Sequence, residues 1–84
     1  MTDKIYTIVI RVNKKDSSFV YFTLESNEGL CFYSTLKHEK ESPYREIEIN
    51  LTKSLLNEFL TVFHFLTGSI DIEILKDTEN ITGR

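Results

Sequence analysis

The residues of this chain best suited to bind a small molecule lie in one polar turn near the amino terminus. Asn13, Asp16, Ser17 and Ser18 flank a lysine pair, directly before a stretch with helical periodicity. Asp16 is a good helix N-cap, since its carboxylate can accept from the first free backbone N–H groups. The same N–H groups, together with serine hydroxyls, can hold a small anion. Helix capping and ligand binding are therefore both open interpretations of this turn.

Other side chains with catalytic potential lack the neighbours that catalysis needs. His38 stands with Glu39 and Glu41 in one charged loop, where no surrounding shell would fix them, and we expect a solvated loop. His64 falls on the polar side of a predicted helix. Cys31 has no cationic neighbours to make a reactive thiolate and, as the single cysteine, no partner for a disulfide or a zinc site. We therefore predict no enzyme activity, no metal and no cofactor.

Composition narrows the classes of partner. The 84 residues are 40% hydrophobic and 27% charged, with a net charge of −3, which describes one globular domain with a small core. The negative balance disfavours nucleic acid, which binds clustered Lys and Arg. No apolar run reaches the roughly 20 residues of a membrane span, and the amino terminus lacks a cleavage-like segment. We expect a soluble, cytoplasmic protein whose small core favours a homo-oligomer.

Two periodicities alternate along the chain. Alternating apolar residues predict strands over 4–12, 30–36, 45–51 and 70–75, and helical spacing predicts helices over 17–27 and from the Thr52 cap to Gly68. The first helix should bury Phe19, Val20, Phe22, Thr23 and Leu24, and the second strand should turn Leu30, Phe32, Ser34 and Leu36 inward. Each helix is followed by a glycine, which adopts positive φ at low cost. We expect Gly29, or Asn27 before it, and Gly68 to end the two helices.

The order strand, helix, strand, strand, helix, strand predicts an α+β fold, a ferredoxin-like or ACT-like βαββαβ sandwich. Right-handed crossovers place both helices on one face of a four-stranded antiparallel sheet with strand order 4-1-3-2. Residues 1–76 form this single domain. Residues 77–84 have no periodicity, and we predict a flexible C-terminal tail there.

The sheet face away from the helices is a second candidate site. The predicted interface residues on this open face are Val9, Arg11, Tyr33, Glu46, Glu48, Glu73 and Leu75. Arg11 lies between strands that carry carboxylates. It can neutralise them within one chain, or meet the carboxylates of a second copy in a two-fold homodimer interface.

The stretch IVIRVNKKDSSFVYFTLESNEGLCF resembles the opening of domain of unknown function 4911, a family of small bacterial domains. In that family a strand ending near Arg-Val leads into a helix closed by a Leu-Glu-x-x-Glu-Gly turn. The matching residues here are Arg11, Val12, Asp16, Phe19, Leu24, Glu25, Glu28 and Gly29. The resemblance runs over residues 4–76 and implies an ACT-like fold with no assigned activity. The chain departs from the pattern in its longer charged loop over 38–43, whose role stays open.

Overall fold

The structure, a computed structural model, describes residues 4–37 and 40–83. Its strands and helices, in chain order, are β1 Ile5–Asn13, α1 Ser17–Ser26, β2 Phe32–Lys37, β3 Tyr44–Thr52, α2 Leu56–Ser69 and β4 Ile72–Asp77. Short 3-10 turns occupy Lys14–Asp16, Lys53–Leu55 and Ile81–Gly83. Within the described ranges, neither helix combines the length and the apolar character that crossing a bilayer requires.

The four strands form one antiparallel sheet in the order β2-β3-β1-β4. β1 is central and pairs with β3 along its whole length, from Ile5 opposite Thr52 to Asn13 opposite Tyr44. Buried residues of both helices join one core with the strands, so the helices cover the same sheet face. The predicted α+β ferredoxin-like arrangement, including the strand order 4-1-3-2, is confirmed.

The core follows from strict alternation in the two inner strands. The strand residues in the core cluster are Tyr6, Ile8, Ile10, Val12, Ile47, Ile49 and Leu51. From α2, Phe59 and Phe63 stack with ring centroids 5.6 Å apart, and Leu66 extends the same buried stripe. These residues match the faces predicted for β1, β3 and α2.

The prediction for β2 was wrong about which face is covered. Tyr33 pairs with the buried Ile49 and therefore faces the helices, while Phe32 pairs with Asn50 on the open face and is 80% exposed. Leu30, which was predicted to lie inward, is buried but belongs to the turn before the strand. Side chains of β2 do alternate between the two faces of the sheet. Pairing with β3, however, places each alternating set on the face opposite to the predicted one.

The apolar face of α1 is narrower than predicted. Val20 and Leu24 are buried, but Phe22 is 68% exposed. Tyr21, which was predicted to lie opposite the apolar face, packs against the core and stacks on Tyr33 with ring centroids 5.2 Å apart. Tyr33 projects from the edge strand β2 toward α1. Its stacking on Tyr21 therefore adds Tyr21 to the side of α1 that packs on the sheet.

Of the two glycines predicted to end helices, only Gly29 has a backbone conformation that favours glycine. α1 ends at Ser26, and Asn27 follows with φ −104°, so the positive φ of 78° belongs to Gly29 in the turn before β2. Gly68 was predicted to end the second helix, but it lies inside α2, which continues to Ser69. Ile70 then leaves the helix in an extended conformation. The prediction for Gly68 was therefore wrong. At the first helix Asn27 is the C-cap, and Gly29 supplies the positive φ in the turn between α1 and β2.

These two glycines should respond oppositely to alanine. Gly29→Ala should lower the free energy of unfolding by about 1 kcal/mol, because a Cβ is strained at φ 78°. Gly68→Ala should raise it by about 0.5 kcal/mol, because the helical site has open space for a Cβ and alanine reduces the entropy of the unfolded chain. Urea denaturation of both variants beside the parent measures the two signs, and equal signs would contradict the prediction.

The carboxyl-terminal segment is packed rather than a flexible tail. Ile81 is fully buried in the main core, and the 3-10 turn Ile81–Gly83 returns the chain to the sheet. Asp77, the last residue of β4, accepts hydrogen bonds from the backbone N–H groups of Ile81 and Thr82 at 2.9 Å, and from the Thr82 hydroxyl at 2.6 Å. The prediction of a frayed segment over 77–84 was wrong for its described residues, because one apolar side chain and one carboxylate anchor it.

Candidate functional site

The turn between β1 and α1 does not gather the four predicted ligand-binding residues into one cavity. Ser17 is buried and donates its hydroxyl to the carbonyl of Lys14 at 2.8 Å. Asn13 and Asp16 line a groove of about 360 Å³ against the end of α2. Ser18 lines a different, open cavity of about 670 Å³. Of these four residues only Asn13 borders both cavities, and Lys15 also lines both.

The capping roles predicted for Asp16 and Thr52 are also absent. Neither side chain makes a cap hydrogen bond, because a 3-10 turn precedes each α-helix and satisfies part of its first turn through the backbone. The backbone N–H of Lys14 instead donates to the carbonyl of Pro43 at 2.8 Å and ties this turn to the loop before β3.

The two lysines of this turn, which were not among the predicted ligand-binding residues, border the larger cavity. Its lining consists of Asn13, Lys14, Lys15, Ser18 and Pro43. The lining therefore contains two lysines and no carboxylate, and the Lys14 ammonium donates to the backbone carbonyl of Lys40 at 3.3 Å. The sequence could not predict this cavity, because one of its walls is Pro43 and nothing in the local sequence places Pro43 beside this turn.

The open face of the sheet is a connected polar surface. Arg11 donates through Nη1 to Glu73 at 3.3 Å and through Nη2 to Glu46 at 3.4 Å. The register explains this geometry, since Arg11 lies opposite Glu46 on β3 and Glu73 on β4. The guanidinium also lies 5.6 Å from the centroid of the Tyr44 ring. Arg11 is thus engaged within its own chain.

The rest of this face is similarly connected. Thr7 donates its hydroxyl to Asn50 at 2.6 Å, and the Asn50 amide donates to Glu48 at 3.1 Å. Val9 is only 7% exposed although it lies on this face. Its cross-strand neighbours are Glu48 and Lys76, whose long side chains are able to cover it. The intramolecular interpretation of the charges is the one that the contacts favour.

Two of the predicted interface residues are placed differently. Tyr33 lies on the helix-covered face, where its hydroxyl donates to Glu25. That hydrogen bond, followed by desolvation, raises the pKa of Tyr33 to about 12. Leu75 lies in β4 at a β-bulge opposite the step from Val9 to Ile10 and is partly exposed. Phe32 and Ser34, which sequence reasoning turned inward, occupy the open face in place of Tyr33.

The ion pairs of Arg11 should contribute little to stability. Arg11→Ala should lower the free energy of unfolding by about 0.5–1 kcal/mol, because partly exposed pairs gain little over hydration. The difference from the parent should shrink in about 1 M salt, which screens such charges. Urea denaturation at low and high salt, with Lys76→Ala as a control cation on the same face, checks this. A salt-independent loss above about 2 kcal/mol would show that Arg11 is structurally essential.

The remaining candidate side chains that the structure describes are not grouped into a catalytic or metal-binding site. His64 is exposed on α2. Cys31 is half-buried, and burial raises the pKa of its thiol to about 11, so it is protonated at neutral pH. His38 and Glu39 lie outside the described residues, and Glu41 is exposed. In the part of the chain that the structure describes, no group of His, Cys, Asp and Glu is arranged to hold a metal ion.

Large apolar side chains remain exposed on both layers of the domain. On the helical layer, Phe19 and Phe65 form a tilted ring pair with centroids 6.0 Å apart, and Phe22 lies one turn beyond Phe19. On the edge strand β2, Phe32 and Leu36 are exposed. The sequence did not predict the exposure of Phe32, because its alternation fits either face.

The fold and these surfaces define a ferredoxin-like α+β domain with an open face on which Arg11 pairs with two carboxylates, and an edge strand with exposed apolar side chains. No protein-family model, curated protein or solved structure matches the chain.

Proposed function

We propose that this chain is a non-enzymatic interaction module that self-associates as a homodimer. The observation that carries the proposal is the set of large apolar side chains that are more than half exposed on a domain with one small core, namely Ile5, Phe22, Phe32 and Phe65. Exposed apolar side chains commonly mark protein interaction surfaces where they form a contiguous patch. Burial of such groups between two copies adds apolar area that a domain of this length cannot bury alone.

The chemistry of the described residues supports an interaction role. Arg11 is engaged by Glu46 and Glu73, and the protonated thiol of Cys31 is a poor nucleophile. A reducing cytoplasmic setting suits a chain with a single cysteine. These features make binding to protein a better proposal than catalysis.

Sedimentation velocity of the full chain from about 1 to about 100 µM tests the homodimer over a range where weak association is visible. We expect the mass to rise with concentration from the monomer value of 9.8 kDa toward twice that value. A constant monomer mass over the whole range would overturn the proposal.

The second candidate function is the sensing of a small anion, an amino acid or a phosphorylated metabolite, at the turn over 13–18. The open cavity lined by Lys14, Lys15 and Ser18 favours it, since two ammonium groups and a hydroxyl suit a phosphate or carboxylate. Asn13 lines the same cavity, whereas Asp16 and Ser17 do not, so the candidate site is redefined around the lysines.

Thermal unfolding with inorganic phosphate and a panel of amino acids tests this second function. A ligand that binds only the native state at about 100 times its Kd stabilises it by about 2.7 kcal/mol, which is a clear rise in Tm. The effect should disappear in the double variant Lys14→Gln and Lys15→Gln and persist in Lys76→Gln. No shift with any compound, or an equal shift in both variants, would exclude this site.

A further inference from the structure

The two edges of the sheet differ sharply in charge. β4 carries three charged residues in its six positions, Glu73, Lys76 and Asp77. Both edge strands have an irregular register, at Leu75 in β4 and between Thr35 and Lys37 in β2, so the difference between them is charge. Charges on an edge strand hinder pairing with another chain. β2 carries only Lys37, at its end, and the chain is uncharged from Leu30 to Leu36. The β2 edge is therefore the one without a charge barrier.

The β2 edge also offers what a second strand needs. Alternate backbone N–H and C=O groups of an edge strand point away from the sheet and can pair with an added strand. Phe32, at 80% the most exposed large apolar side chain described, lies at the start of this edge. Tyr33 and Thr35 on the other face are hydrogen-bonded to Glu25 and Tyr21 of α1, which ties this strand to the helix.

We propose that two copies of this chain dimerise by antiparallel pairing of their β2 strands about a two-fold axis. The pairing joins two four-stranded sheets into one continuous sheet, with Phe32 of each copy at the seam. This inference rests on the proposed self-association and specifies the surface that performs it. It is distinct from the open-face interface that the sequence analysis considered.

Symmetry and charge favour a second copy as the occupant. With the axis perpendicular to the sheet, each side chain must lie opposite a side chain on the same face of the other copy. The axis then lies level with a residue rather than between two residues, and it can lie level with Tyr33 or Ser34 near the middle of β2. Phe32 then lies opposite Ser34 or Leu36 of the other copy. No charges of like sign meet in either register, although the whole chain carries −3. The net charge gives two such chains a weak long-range repulsion, and this uncharged segment adds no local repulsion to it.

The expected interface is small. A six-residue strand with two exposed large apolar side chains per copy, Phe32 and Leu36, is expected to bury less than about 1,200 Å² in total, which is typical of weak and transient complexes. We therefore expect dissociation in the micromolar range and a dynamic exchange between monomer and dimer.

A matched pair of charge variants tests this surface. Phe32→Lys places a cation from each copy at the seam, and lysine on an edge strand blocks pairing. Phe22→Lys makes the same change at an exposed phenylalanine of α1. In sedimentation velocity the dimer Kd should rise at least about tenfold, the equivalent of about 1.4 kcal/mol, in Phe32→Lys and stay unchanged in Phe22→Lys. Circular dichroism confirms that both variants fold.

The outcomes separate this inference from the proposed function. If the parent is monomeric at all concentrations, self-association itself fails. If the parent dimerises and Phe22→Lys alone weakens the dimer, self-association stands and the β2 surface is wrong. Cysteine cross-linking in a Cys31→Ser background gives a second measurement: Tyr33→Cys or Ser34→Cys should form a disulfide dimer across the axis, and Ile74→Cys on β4 should not. Cross-linking through β4 instead would overturn the inference.

Discussion

Ile81→Ala should lower the free energy of unfolding by about 3 kcal/mol, an effect normally expected of a central core residue. Ile81 is fully buried among residues of both sheet and helices although it lies close to the end of the chain. Truncation to alanine removes buried methyl groups and leaves a cavity, which typically costs about 2–5 kcal/mol in a protein core. Urea denaturation monitored by circular dichroism measures the change.

Thr78→Ala is the matched control, because Thr78 is exposed in the same segment. We expect it to change stability by less than about 0.5 kcal/mol, as surface substitutions usually do. If Ile81→Ala is as mild as Thr78→Ala, the segment after β4 does not pack on the core, and the original expectation of a flexible tail is restored.

Asp77→Asn should lower the free energy of unfolding by about 2 kcal/mol at neutral pH. The carboxylate accepts two backbone N–H groups and the Thr82 hydroxyl, and hydrogen bonds to a charged acceptor contribute about 1.5–3 kcal/mol each before exposure reduces them. An asparagine amide retains only one acceptor oxygen and turns an N–H group toward these donors. Loss of this anchor also loosens Ile81.

The pH dependence of this effect has a defined sign. Burial alone would raise the pKa of Asp77, but hydrogen bonds from the Thr82 side chain and from the backbone of Thr82, Ile81 and Glu79 lower it below its ordinary value of 3.8. A lowered folded-state pKa means that the ionised group stabilises the native state above the unfolded-state pKa. That contribution is lost as the pH falls through the folded-state pKa.

The stability difference between parent and Asp77→Asn should therefore be constant from neutral pH down to about pH 5 and should shrink on further acidification. Denaturation curves at several pH values measure this difference, with Asp71→Asn, an exposed carboxylate, as the control. A difference that grows as the pH falls would show that Asp77 is not stabilised as the anion.

The candidate surfaces were predicted unevenly. Arg11, Glu46 and Glu73 were placed together correctly, because cross-strand neighbours follow directly from strand order and alternation. An intramolecular network and a dimer interface would use the same three residues. The distances from Arg11 to Glu46 and Glu73 within one chain favour the network. Lys14 and Lys15 gained a shared cavity only because Pro43, distant in sequence, lies beside them.

The errors in β2 and at the carboxyl terminus have a common cause. The run from Phe32 to Leu36 has apolar or aromatic residues in both alternating sets, so either face can be the covered one. The pairing of Tyr33 with Ile49 decides this. Ile81 is a single apolar residue in a polar segment, and no periodicity marks it. It packs in the core beside the hydrogen bonds that Asp77 accepts from this segment.

The amino-acid sequence by itself determined the order of elements, the strand order and the dry faces of β1, β3 and α2, because strong local periodicity leaves one way to bury these residues. Tertiary structure alone decided which side of β2 is covered, where the helices end and that the last residues pack. These outcomes depend on contacts between segments far apart in the chain, whose free energies outweigh weak local preferences.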